Sequence, residues 1–371
     1  MSPSTSCWAP VWTPSPRARP EIAARLRVFE IDQPGTQAWK RRRLIELGYG
    51  IPDWLRLVPV DFEAGADWWE RTGGSGCPTP ASIPADRSVV GHNLAGGRMT
   101  GDVRFEPDLY RGTAGYYDRF RLPYPDAMIA DLVRRTAPSG CGRLLDLACG
   151  TGQLAFPLRA SFADVWCVDA EPGMTEVVRA KAIAVDAAHI RTITVGAEDL
   201  PAGPDSFESI VIGNAFHRLR RAAVAGLAHT WLRPGGCLAL CWSTSPWAGS
   251  QDWQRALADV LRTWQNALGA AGRVPPGWDE SRQRDPDHDV LSRAGFEPAG
   301  RHEFSVEHHW TIRELAGHIR STSFLPPPVL ADHAAAFDAD LTAELSRYTA
   351  DDRLTETVDF AYELARKPAQ A

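Results

Sequence analysis

The stretch Arg143-Leu144-Leu145-Asp146-Leu147-Ala148-Cys149-Gly150-Thr151-Gly152-Gln153-Leu154 constrains this chain more than any other. Leu144, Leu145 and Leu147 make the short apolar run of a strand covered on both faces, and Asp146 interrupts it near the carboxyl end. Gly150 and Gly152 let backbone approach a ligand with no Cβ in the way. A helix after them would present its free N–H groups to the same spot. A polar ligand is expected above this turn, although a tight strand-to-helix turn without a ligand uses the same letters.

A strand that must be covered on both faces needs parallel neighbours and helical crossovers, and the residues downstream are arranged to supply them. Asp164 to Asp169 reads as the second strand, Pro172 to Val185 as a helix, and Arg191 to Val195 as the third strand. Ser209 to Gly213 reads as the fourth strand. It runs into Asn214-Ala215-Phe216-His217, and helix Arg220 to Leu232 follows with Val224, Leu227 and Trp231 on one stripe. The turn Arg233-Pro234-Gly235-Gly236 leads into a strand from Cys237 to Trp242. Further on, helix Asp252 to Leu268 carries an apolar stripe. A strand is expected from Arg301 to His308, helices from Arg313 to Ser321 and Val329 to Arg347, and a closing edge strand from Thr355 to Leu364. The expected fold is α/β: a doubly wound, Rossmann-like, mostly parallel sheet of about seven strands with a helical cap insertion.

Composition narrows the partners. The chain has 371 residues, 44% of them apolar, enough for a packed core, and a net charge of −6 that offers no electrostatic case for nucleic acid. No run of about 18 apolar residues is present to span a bilayer, and Met1 to Pro20 has no apolar core of signal-peptide length, so a cytoplasmic protein without membrane attachment is expected. Seven cysteines with no Cys-x-x-Cys pair read as reduced thiols. Asp285-Pro286-Asp287-His288-Asp289 has metal-like letters in what reads as an exposed, proline-broken loop, and no metal site is expected there.

The front of the chain is different in character. Leu26 to Asp32 reads as a strand, Thr36 to Leu47 as a helix and Leu55 to Val60 as a second strand, which makes one strand-helix-strand segment within residues 1–72. Val28-Phe29-Glu30-Ile31-Asp32-Gln33-Pro34 and Val58-Pro59-Val60-Asp61-Phe62 resemble the middle of the leucine carboxyl methyltransferase family. The glycine-rich strand turn such a protein uses to bind its cofactor is missing, since Met1 to Pro20 contains no glycine. The segment is therefore read as an incomplete remnant that does not bind cofactor by itself. Residues 73–104, rich in Gly, Pro, Ser and Ala, read as a linker, and 105–371 as a self-contained domain.

The glycine pair also fits a nicotinamide-dinucleotide fingerprint, because Asp169 follows Gly150 by about twenty residues. Asp146 argues the other way. An acid at the end of the strand would repel a pyrophosphate seated over the helix N-terminus, whereas it suits a cationic amine. S-adenosylmethionine carries an α-amino group, a sulfonium, a ribose and an adenine but no phosphate, so acids at successive strand ends help to bind it. The motifs Leu145 to Gly152, Val168-Asp169, Ala197-Glu198-Asp199-Leu200-Pro201, Asn214 to His217 and Leu232 to Gly236 resemble, in order, those of class I S-adenosylmethionine-dependent methyltransferases. They are similar to the branch containing ubiquinone and menaquinone C-methyltransferases and many small-molecule methyltransferases.

The resemblance implies S-adenosyl-L-methionine as cofactor and a small-molecule methyl acceptor. It implies that Asp146, with the backbone of Ala148, Gly150 and Gly152, holds the methionine moiety. Asp169 would hold the ribose, Met174 one face of the adenine, and Ala197 and Glu198 the adenine edge. This chain has Gly196 where relatives often carry an acid. Asn214 and His217 would lie beside the sulfonium, and Tyr117 and Arg121, from the aromatic stretch Tyr110 to Pro125, would match a flap at the carboxylate end. His217 is the candidate general base, with a pKa near 6.5 suiting it to that role, or else a histidine that lines the pocket. A dinucleotide-binding oxidoreductase and a non-catalytic S-adenosylmethionine-binding protein stay open as alternatives.

Overall fold

The computed structural model describes residues 108–273 and 282–369, together with two strands and a few isolated positions nearer the start. The chain divides into two compact units, Met1–Gly97 and Arg98–Ala371. In the first unit, β1 (Val28–Asp32) pairs in parallel with β2 (Leu55–Pro59), with Val28 opposite Leu55 and Asp32 opposite Pro59. Parallel pairing requires a crossover between the strands. Four helical positions between 38 and 45 agree with that reading, while the rest of the expected helix and the linker at 73–104 lie outside the described residues.

In the second unit the glycine stretch sits at the centre of the architecture. β3 (Arg143–Leu147) pairs in parallel with β4 (Asp164–Asp169), and β4 with β5 (Ile190–Thr194). On the other side β3 pairs in parallel with β6 (Phe207–Gly213), and β6 with β7 (Leu232–Ser243). β8 (Glu297–Trp310) and β9 (Leu354–Arg366) complete a seven-stranded sheet of order β5-β4-β3-β6-β7-β9-β8, in which β9 runs antiparallel to both of its neighbours. The sheet thus grows one way from β3 to β5 and the other way from β6 to β7. Such a reversal opens a crevice outside the carboxyl ends of β3 and β6, the usual ligand position in open α/β sheets.

Helices cover both faces. α1 (Ala114–Phe120), α2 (Asp126–Thr136), α3 (Ala155–Leu158) and α4 (Pro172–Ala184) precede β5. α5 (Arg221–Trp231), α6 (Asp252–Ala267), α7 (Asp287–Arg293), α8 (Ile312–Arg320), α9 (Pro327–Leu330) and α10 (Ala334–Leu345) follow β6. One face of the sheet packs Leu144, Val165 and Val211 against Met128, Leu132 and Val178, and the other packs Leu145, Leu147 and Ile210 against Val224, Ala228 and Trp231. Alternation along each strand sends successive side chains to opposite faces, which is why Leu144 and Leu145 serve different cores. A third core joins α6, α8 and α10 through Leu257, Leu261, Leu315, Ile319, Phe337 and Leu341, and forms the cap.

Five expectations need correction. The segment from Thr355 to Leu364 is not the sheet's edge: β9 lies between β7 and β8, and Val358, Phe360, Tyr362 and Leu364 are buried because they face the core that packs against α2. The metal-like letters at 285–289 do not form a loop, since α7 starts at Asp287, where Asp287 and Asp289 favour the positive end of the helix dipole. The single helix expected from Val329 to Arg347 is broken at Ala331, whose φ of 41° and ψ of −123° no helix accommodates. β7 begins at Leu232 rather than Cys237, because Leu232 already pairs with Phe207 of β6. The helix after the glycine turn is also shorter than the motif suggests. α3 begins only at Ala155, and after Leu158 the chain tightens into a 3₁₀ turn through Arg159–Ser161.

Candidate active site

The turn after β3 is organised by the two acids at adjacent strand ends. Asp169 Oδ2 accepts the Gly150 N–H at 2.9 Å, and Oδ1 accepts the Glu171 N–H at 2.9 Å. Asp146 Oδ2 accepts the Ala155 N–H at 2.9 Å, which ties the strand end to the first residue of α3. A carboxylate has about four acceptor sites, so each acid keeps capacity for a ligand. Both carboxyls are held above the usual acid range, in each case chiefly by burial. The proximity of Asp169 adds to the effect at Asp146.

Backbone strain collects at the same place. Ala148 has φ 55°, Gly150 φ 53° and Asn214, just beyond β6, φ 51°. An Ala in the left-handed region costs roughly 1–2 kcal/mol, and such conformations persist where surrounding bonds over-determine them. Here the Cys149 N–H bonds to the Val168 carbonyl at 2.9 Å, and the Asn214 N–H to the Cys241 carbonyl at 2.8 Å. A Cβ added at Gly150 would lie 2.9 Å from the Tyr117 ring, so that glycine is required by the flap as well as by its φ.

Two cavities open over these strand ends. The smaller, about 210 Å³, is lined by Gly150, Asp169, Met174 and Ala197, and the larger, about 490 Å³, by Arg121, Asp146 and His217. They share Tyr110, Tyr117, Ala148, Gly213, Asn214 and Arg218 as walls, so the two form one cleft running from the end of β4 past β3 and β6 into the cap. Two of the sequence candidates are not brought into it. Glu198 turns its carboxylate to the Arg220 N–H at 3.0 Å and lines neither cavity, and Gly152 faces the Phe156 ring, 2.8 Å from where a Cβ would stand.

The flap is fixed from two directions. The Arg121 guanidinium lies 4.9 Å from the Tyr117 ring centre, while its Nε donates to Ser321 Oγ at 2.9 Å and its Nη2 to the Ser321 carbonyl at 3.3 Å, which joins α1 to the cap. Burial pushes the Tyr117 phenol up to about 12, so it stays protonated at neutral pH. Asn214 is oriented by the Ser243 N–H, which donates to its Oδ1 at 3.2 Å, and by the Tyr124 hydroxyl at 3.3 Å from Nδ2. His217 departs from expectation. Burial, reinforced by the charges of Arg218, Arg282, Arg221 and Arg121, holds its imidazole well below 6.5, so it is neutral through the physiological range.

A protein-family model described as a methyltransferase domain matches residues 144–236, the glycine turn through the start of β7. Over 186 residues the chain is 32% identical to a demethylmenaquinone methyltransferase of Clavibacter sepedonicus, covering 47% of this chain and 71% of that protein. The chain belongs to the class I S-adenosylmethionine-dependent methyltransferases. It is also 32% identical to a ubiquinone/menaquinone biosynthesis C-methyltransferase of Rubrivivax gelatinosus, over 47% of this chain and 70% of that one. An uncharacterized methyltransferase of Mycobacterium tuberculosis is 33% identical over 159 residues, and the match spans 43% of this chain and 61% of that relative's length. A second family model, leucine carboxyl methyltransferase, matches residues 17–78, so the chain carries a likeness to a different methyltransferase family in its first unit.

Several residues of the cleft escaped the sequence reading. Trp242, Trp247, Trp310, His318 and Phe324 line the larger cavity from β7, β8 and the cap, and Arg282 lines it from just before α7. No local motif marks them, because they meet only when β8, β9 and the cap fold back over β7. Gly213 had a legible signal, a glycine closing an apolar strand. Its Cβ position lies 2.8 Å from the Tyr124 hydroxyl and 3.0 Å from Leu154, so a side chain there would close the waist between the two cavities.

Proposed function

We propose that this chain transfers the methyl group of S-adenosylmethionine to a small-molecule acceptor bound under the cap. The observation that carries the reading is the continuous cleft with Asp169 at one end, Asp146 at its middle and an aromatic chamber at the other. The residues present fit the cofactor. Asp169 offers a carboxylate for two ribose hydroxyls, and Met174 and Ala197 give the apolar walls an adenine needs. Asp146 offers an anion for the α-ammonium, and Arg121 a guanidinium for the carboxylate. Asp146, whose carboxyl accepts the N–H of the first residue of α3, disfavours a pyrophosphate seated over that helix N-terminus, which speaks against a dinucleotide.

The cofactor supplies an activated methyl on a sulfonium, whose C–S electron pair stays with sulfur as an acceptor lone pair takes the methyl. The chain then has to hold the acceptor in line, exclude water and, for a protonated acceptor, remove a proton. Positioning of this kind is worth up to about 7–11 kcal/mol in favourable cases. Asn214, fixed by Ser243 and Tyr124, and the strained Ala148 backbone form the rigid rim at the waist of the cleft. His217 is neutral at physiological pH and can accept a proton from an acceptor hydroxyl, and its depressed pKa makes it a weaker base than an imidazole near 6.5.

Calorimetry with S-adenosylhomocysteine and with NAD tests the cofactor, and a screen for methyl transfer to candidate small molecules tests the reaction. Tight binding of S-adenosylhomocysteine, no binding of NAD and turnover of an acceptor are expected. Binding of NAD in its place would sink the proposal.

A further inference from the structure

The acceptor end of the cleft has a composition unlike its cofactor end. Its walls are aromatic: the Trp247 and Phe324 rings meet edge to face with centroids 5.1 Å apart, and Trp310 stands 5.1 Å from His318. The Trp310 indole N–H donates to Glu356 Oε1 at 2.6 Å, and the ring is buried in the cap core, so it backs the chamber from behind. His318 adds no charge. Burial and Arg121 push it down to about 3, and its Nδ1 lies 3.0 Å from the Phe120 carbonyl, so as a neutral ring it donates there.

The charge on the same walls is one-sided. Arg121, Arg218, Arg262 and Arg282 line the cavity, against one carboxyl among the described residues, Asp146. Among the described residues, Arg121 donates to the neutral Ser321 and lies over the Tyr117 ring. Arg282 donates to Asp287 Oδ2 at 2.8 Å, but Asp287 also accepts from Arg221 at 2.8 Å, and Asp285 serves Arg221 and Arg293. Among the described residues, that cluster holds three guanidinium groups and two carboxylates. Arg262 pairs with Asp259 at 2.8 Å, both largely exposed, where an ion pair is weak.

Counting the cofactor deepens the imbalance. Under the proposed function, on which this inference rests, the ammonium meets Asp146, the carboxylate meets Arg121, and the sulfonium leaves one more positive charge facing the chamber. A cationic amine placed there would be repelled in a medium of low dielectric, and an anion attracted.

We propose that the methyl acceptor is a flat, largely apolar molecule bearing a carboxylate-like anionic group, its body against Trp247 and Phe324 and its anion toward Arg282, with Arg262 at the rim. A planar guanidinium matches a carboxylate or phosphate in two-point geometry, and aromatic walls match a flat body.

The test uses the full chain saturated with S-adenosylhomocysteine and titrated with naphthoate, naphthyl phosphate, naphthamide and naphthylmethylamine. At least one of the two anions is expected to bind about tenfold or more tighter than the neutral amide, with the amine weakest, and the stronger anion distinguishes a carboxylate from a phosphate acceptor. Arg282→Gln should remove most of the anion preference while leaving amide binding unchanged. Arg262→Gln, at an exposed position that does not endanger folding, should reduce it by a smaller factor. Equal affinity for anion and amide, preference for the amine, or no binding by any probe to the saturated protein overturns the inference. Failure to bind S-adenosylhomocysteine in the first place would instead overturn the methyl-transfer reading.

Discussion

Asp146→Asn should make the ligand-free protein more stable and the cofactor bind more weakly. Asp146 is 1% exposed, and its carboxyl is held well above the ordinary value of 3.8 by burial and then by Asp169. A carboxyl whose folded pKa exceeds its unfolded pKa adds stability below the unfolded value and loses it as pH rises through the folded one, so at pH 8 the buried charge works against folding. Asparagine carries no such charge and can still accept the Ala155 N–H through its carbonyl, so its melting temperature at pH 8 should exceed that of the native chain. A ligand ammonium reverses the balance, because it needs the ionised carboxylate. Native protein should therefore release protons on binding S-adenosylhomocysteine at pH values below the raised pKa of Asp146. Loss of a charge-assisted bond is worth about 1.5–3 kcal/mol, or roughly ten- to a hundredfold in affinity. Calorimetry in buffers of different ionisation enthalpy reads both quantities, and thermal melts read the stability. A variant that binds within about twofold of the native chain, with the same proton release, would show that Asp146 does not meet the ammonium.

Asp169→Ala should weaken S-adenosylhomocysteine binding by roughly 1–3 kcal/mol and also lower stability, since the Gly150 and Glu171 N–H groups lose their acceptor. Unchanged affinity by calorimetry would show that the ribose lies elsewhere. If His217 is the base, His217→Gln should lower kcat by about a hundredfold or more with cofactor affinity intact. Because the pKa of His217 is depressed, the acidic limb of the native rate profile should fall well below pH 6.5 and vanish in the variant. A limb that survives with only a few-fold rate loss would leave His217 as pocket wall. A truncated chain beginning at Met99, next to the boundary between the two compact units, should fold and bind S-adenosylhomocysteine like the full chain. Insolubility, or about a tenfold loss of affinity or more, would make residues 1–98 part of the folded domain.

Local sequence was sufficient for the elements near β3. Leu144, Leu145 and Leu147 specify a doubly covered strand in any context, and glycines at 150 and 152 permit positive φ without a tertiary partner, so the turn, the acids at strand ends and the parallel order from β3 to β7 were legible. Tertiary structure decided whatever depends on residues far apart in the chain. The position of β9 between β7 and β8 follows from a long-range pairing that a period-two pattern cannot assign. α10 was cut from its neighbour by the backbone at Ala331, and α7 formed where Asp287 joins Arg221 and Arg282, 66 and five residues away. The aromatic, arginine-rich chamber belongs to the same class. Its side chains have ordinary core and surface patterns in sequence, and they become one site only because β8, β9 and the cap close over the end of β7. The depressed pKa of His217 has the same origin, because burial and the charges of four arginines are properties of proximity, which composition and spacing do not encode.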